Sequence, residues 1–109
     1  MNDRDSVYLR QMLEAIGVVA EYIDGKKLTD LESDRMLQDA VIRKIEVIGE
    51  AASRLSGSFL KAHAELSLLS AITMRNKLIH EYDDIDLKVV WDTVSVDLPK
   101  LGEAIEKLL

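Results

Sequence analysis

Apolar residues recur at steps of three and four along nearly the whole chain, the spacing that gathers them on one face of an α-helix, and no segment reads as a strand. From Asp5 to about Asp24 the set Leu9, Met12, Leu13, Ile16, Val19, Ala20 and Ile23 predicts a first helix, closed by Gly25. The polar stretch 26–34 offers Thr29, Asp30 and Ser33 as caps for a second helix, which carries Leu37, Val41, Ile45, Ile48, Ala52 and Leu55 and ends at Gly57. Residues 58–65 fit a short helix or a turn, and a third long helix is expected from Leu66 to about Ile79. Asp83-Asp84-Ile85-Asp86 then supplies a loop and an N-cap for a last helix reaching Leu109. Pro99 falls inside that helix, where its missing N–H and ring clash predict a kink or break after Asp97-Leu98. The expected fold is all-α: an antiparallel bundle of four long helices with one short helical insert and a kinked last helix.

Composition narrows what such a bundle can do. With 109 residues, 48% of them hydrophobic, and a single proline, the chain is expected to form one domain, 1–109, around one core. Its formal net charge of -6 means that whole-molecule attraction cannot hold a nucleic acid, so any RNA contact must be local. A histone-like or general DNA-binding role is argued against on the same ground. There is no cysteine, which excludes disulfides, thiolate zinc sites and cysteine catalysis. His63 has no second histidine at ligand spacing, and Asp83, Asp84 and Asp86 lack the glycine and distal glutamate of a calcium loop, so no metal site is expected. Tyr22 and Trp91 sit in apolar helical patterns and are read as core or dimer-interface aromatics, not base-stacking platforms. The N-terminus lacks the basic-then-apolar character of a signal peptide, and no apolar run approaches the roughly 18 residues that cross a bilayer. Cytoplasmic residence, with no membrane partner, is the expectation.

Within 74–82 the chain sets a guanidinium, a carboxamide, an imidazole and a phenol close together at a helix end: Arg75, Asn76, His80 and Tyr82. At about 100° per residue Asn76 and His80 share a face, whereas Arg75 and His80 diverge by roughly 140°. One protomer therefore presents an incomplete site. The side chains suit phosphodiester cleavage. Histidine exchanges protons near neutral pH, arginine holds a phosphate through paired N–H donors, and asparagine orients substrate or imidazole. RNA carries its own nucleophile in the 2′-hydroxyl, so a metal or other cofactor is not required, and DNA should resist this route. A simpler alternative stands beside this one: an arginine and a histidine near a helix C-terminus can merely bond the last carbonyls and favour the negative end of the dipole. Glu50, beside the apolar stripe of the second long helix, either pairs with Arg75 or is a solvated glutamate.

Arg75-Asn76, three further residues and His80 resemble the Arg, four to six residues, His signature of HEPN domains. Asp39-Ala40-Val41-Ile42-Arg43-Lys44-Ile45-Glu46-Val47-Ile48-Gly49-Glu50-Ala51-Ala52 is similar to the second-helix motif of HepT-like toxins of prokaryotic toxin–antitoxin pairs, and Asp97-Leu98-Pro99-Lys100-Leu101 after Trp91 to their final helix. The likeness departs at Ala64, Ser67 and Leu68, where many such proteins have prolines and a tryptophan. The resemblance implies a ribonuclease with Arg75 and His80 as catalytic pair and Asn76 in support; Glu50 is a supporting candidate on its placement beside the apolar stripe alone. It also implies a homodimer with two facing signatures, and Tyr82 as the residue adenylylated by a nucleotidyltransferase antitoxin. Two other classes remain: a non-catalytic HEPN module that binds nucleotide or RNA or docks a nucleotidyltransferase, and a purely structural helical dimer.

Overall fold

Several helices open where a short polar side chain takes up one of the first unpaired backbone N–H groups. In the computed structural model, which describes residues 1–66, 68–80 and 85–109, with only the backbone for Leu69, Ile79 and His80, helix α1 is Asp3–Ile23. Its N-cap Asn2 accepts the Asp5 N–H at 2.7 Å. It ends ahead of Gly25, whose φ of 71° is a conformation that glycine adopts without strain. Asp34 caps α3 (Arg35–Ser53) by accepting from Leu37 at 3.1 Å, and Ser56 caps α4 (Gly57–Ala62) by accepting from Phe59 at 3.2 Å. A 3-10 turn, Ala64–Leu66, leads toward α5 (Leu68–His80). Asp86, expected as a cap, does accept the Lys88 N–H at 2.9 Å and starts α6 (Leu87–Asp92); the expectations for Asp83 and Asp84 lie outside the described residues.

Three boundaries differ from the sequence reading. The polar stretch 26–34 is itself a helix, α2 (Leu28–Ser33), in which Asp30 accepts the Lys27 N–H at 2.8 Å and only Leu31 is buried. With a single core residue it leaves no periodicity to detect. Gly57 opens α4 instead of ending α3, because Ser56 beside it takes the capping role. The last helix is interrupted just before Leu98, not after it. A π-helical turn, Thr93–Asp97, separates α6 from α7 (Leu98–Glu106), and the Leu98 N–H reaches back to the Thr93 carbonyl. That wider turn relieves the clash a proline ring makes with the carbonyl four residues earlier.

The result is all-α, with no strand among the described residues and none of their helices long and apolar enough to cross a membrane. Helix α3 lies between α1 and α5, and α1 also packs on α7. Leu9, Met12 and Val19 of α1, Val41, Ile48 and Ala52 of α3, and Val90, Val94 and Ile105 further on are buried almost completely. Trp91 packs at the edge of this core, whereas Tyr22, near the C-terminal end of α1, lies outside it and is exposed, which leaves it only the interface alternative.

Candidate active site

The site starts from a missing side chain. A Cβ added at Gly49 of α3 would stand 2.3 Å from the Cβ of Arg75 and 2.8 Å from the carbonyl oxygen of Ala71, so α3 and α5 approach at a distance that only glycine permits. Arg75 is thereby pressed onto α3. Its Nη1 donates to Glu50 Oε2 in a short ion pair, and its side chain is only 18% exposed. Its Nε is buried with no acceptor among the described residues, so Glu50 does not use all of its donors.

Glu50 binds a second guanidinium. Its Oε1 accepts from Arg54 Nε at 3.0 Å and from Nη2 at 2.9 Å, while Oε2 serves Arg75. Glu50, and after it the Tyr8 phenol, raise Arg54 above the ordinary arginine value. The Tyr8 ring in turn lies under Arg4, whose guanidinium carbon is 5.9 Å from the ring centre. Tyr8, Glu50 and Arg54 wall a cleft of about 320 Å³ between α1 and α3, shared with Gln11, Arg43 and Glu46 and reaching Arg75.

The N-terminal part of α1 is held at this cleft by Asp5, 1% exposed, which accepts the Ser56 N–H at 2.8 Å and the Ser56 hydroxyl at 2.7 Å. Burial would raise the Asp5 carboxyl, but the Ser56 N–H, the Ser56 hydroxyl and the Asn2 end of the helix outweigh it and hold it below the usual carboxylate value.

Of the residues singled out from the sequence, Arg75 and Glu50 are in contact. Asn76 is exposed, one position along α5. The backbone of α5 is helical through His80, which sets the Arg75 and His80 positions roughly 140° apart around the axis and about 7.5 Å along it. Tyr82 lies outside the described residues. His63 is half-buried, with its ring 4.4 Å from that of Phe59 and Nδ1 3.3 Å from Glu65 Oε1. Sequence reasoning missed Gly49, Tyr8 and Arg54 as parts of this neighbourhood. The available signal was that Gly49, Glu50 and Arg54 fall within two turns of one helix; Tyr8 carried none, because its proximity comes from tertiary packing.

A family model described as "Ribonuclease HepT-like" matches residues 12–108. A Methanocaldococcus jannaschii protein named "Gamma-glutamylcyclotransferase and putative RNase" is 39% identical over 103 residues, which are 94% of this chain and 46% of that protein. A Thermococcus cleftensis protein named "Probable ribonuclease HepT" is 39% identical over 101 residues, 93% of this chain and 92% of that one. A Caldanaerobacter subterraneus "Putative RNase" is 30% identical over 102 residues, covering 94% and 91%. The chain thus spans less than half of the first relative and nearly all of the other two. No solved structure matches it. With a matched region running from the middle of α1 to the end of the last helix, the chain belongs to the ribonuclease HepT-like family.

Proposed function

We propose that this chain is a metal-independent endoribonuclease of the toxin type, acting on RNA through Arg75 and His80. The observation that carries the reading is the Arg75 guanidinium, oriented by Glu50 and sharing one helix with His80, in a chain whose relatives bear ribonuclease names. A ribose 2′-hydroxyl gives its proton to a base and its oxygen bonds to phosphorus. The bond from phosphorus to the 5′-oxygen breaks, and that oxygen takes up a proton, leaving a 2′,3′-cyclic phosphate and a 5′-hydroxyl. His80 handles a proton, Arg75 offsets the charge on the phosphoryl oxygens, and Asn76 orients the group in transit. Glu50 touches no reacting atom in this scheme and is a positioning residue.

The angular gap between Arg75 and His80 supports a homodimer in which each strand of RNA meets residues from both copies. Tyr82, two positions after His80, is the proposed control point. Its phenol oxygen would attack the α-phosphorus of ATP on a partner nucleotidyltransferase, releasing pyrophosphate and leaving a bulky anion where RNA must bind. The proposed setting is the cytoplasm.

One observation favours a second reading, a non-catalytic module: Arg75 is largely buried and already ion-paired within its own chain. Cleavage of single-stranded RNA in excess chelator separates the two. The nuclease reading expects cleavage with a 2′,3′-cyclic end, none at a 2′-deoxy linkage, and none by a folded His80→Ala variant. Full activity of His80→Ala, or abolition by chelator, overturns it.

A further inference from the structure

The cleft between α1 and α3 does more than hold Arg75 in place. Arg43, Arg54 and Arg75 stand around it against two carboxylates, Glu46 and Glu50, on a molecule whose net charge is -6. Arg43 and Arg54 are 72% and 53% exposed, so their donors face solvent even while each is paired. Glu50 lies between two guanidiniums and is neutralised by them. The Arg43–Glu46 pair is a solvent-facing contact of 3.5 Å that contributes little to stability and yields easily to a competing anion. A guanidinium has five donors and can hold a carboxylate on one edge and a phosphate on the other. Tyr8 and Gln11 on the opposite wall add an aromatic face and an amide. Cationic side chains with an interleaved aromatic are the means by which grooves follow a single strand, and about 320 Å³ is too small for a duplex.

We propose that this cleft, walled by Tyr8, Gln11, Arg43 and Arg54, is a subsite for a backbone phosphate of single-stranded RNA flanking the one that Arg75 holds. The proposal rests on the ribonuclease reading for its direction, since the cleft ends at Arg75, but it is tested by binding alone. It also accounts for how an acidic chain holds RNA at all: three guanidiniums gather at one groove against two carboxylates, so the attraction is local.

The probe is a labelled, uncleavable single-stranded 2′-O-methyl oligoribonucleotide of mixed sequence, titrated with the full chain at several salt concentrations. Arg43→Gln and Arg54→Gln should each weaken binding several-fold at low salt and reduce the slope of log affinity against log salt by about 0.7. Arg35→Gln, whose partner is Asp39 on the surface of α3, should change neither. Arg43→Gln leaves Glu50 and its partners untouched, so a loss seen there does not come from a displaced Arg75. Unchanged affinity and slope in both groove variants overturn the subsite, even if the chain cleaves RNA. Groove-dependent binding by a chain that cuts no RNA upholds the subsite and removes the nuclease reading instead.

Discussion

Removing the charge of Glu50 leaves Arg54 and Arg75 without the carboxylate they share. Glu50 is almost half exposed, so Glu50→Gln should cost no more than about 1 kcal/mol of stability. Its effect on turnover should be larger, because a guanidinium displaced by about an ångström loses up to roughly 100-fold in rate. The expected result is a fall in kcat with a nearly unchanged melting temperature; a variant with wild-type kcat would make the pair merely structural. Asp5 makes the opposite kind of prediction, one about stability and pH. A carboxyl held below its ordinary value stabilises the fold fully above that value and loses the contribution as pH falls through the lowered one. Asp5→Asn puts an amide where the Ser56 N–H and hydroxyl need an acceptor, and should cost about 1–3 kcal/mol at neutral pH. Urea melts should show that difference shrinking as pH falls below the ordinary carboxylate value and through the lowered one, where wild-type Asp5 becomes protonated too. A gap that stays constant down to pH 2 would show that the charge of Asp5 contributes nothing.

Among the helices, the contact of α3 with α5 sets where the arginine goes. Gly49→Ala would put its Cβ against the Cβ of Arg75 and the Ala71 carbonyl, neither of which can swing aside, so α5 must move away from α3. We expect a loss of about 1–3 kcal/mol, as for overpacking elsewhere, together with loss of RNA cleavage. A fully active, equally stable Gly49→Ala protein would contradict the close approach. The long helices were legible in the sequence because they repeat their core residues over about three or four turns, as from Leu9 to Val19 and from Leu37 to Ala52. Short α2 was not, since one buried leucine in six residues carries no period. Gly57 was misread because glycine before a helix and glycine after one look alike until the neighbouring Ser56 is seen to cap. The contact of Arg75 with Glu50 was one of two open readings. The groove joining Tyr8 to Arg54 was not legible at all, because it exists only once α1 lies on α3.

For the molecule as a whole, the proposed dimer makes a prediction that no single chain can satisfy. Mixing inactive Arg75→Ala and His80→Ala proteins, with subunit exchange, should restore part of the cleavage activity, because one of the two composite sites then receives an intact arginine from one copy and an intact histidine from the other. No recovery after verified exchange would mean that each site is built within one protomer. Chain length is a second whole-molecule property, and here the wide turn at Thr93–Asp97 matters. A π-helical turn holds one residue more than an α-helical turn over the same rise, so the segment stores a spare position. Deleting exposed Val96 would let α6 and α7 join as one regular helix with both flanks still facing the core, whereas the same deletion in the middle of α3 would rotate every later core residue by about 100°. The deletion would also return Pro99 to a regular helix interior, at a cost of about 3 kcal/mol. Loss of Val96 should therefore be tolerated best when Pro99→Ala accompanies it. The proline and the extra residue depend on one another, and homologous chains lacking one of them have reason to lack the other.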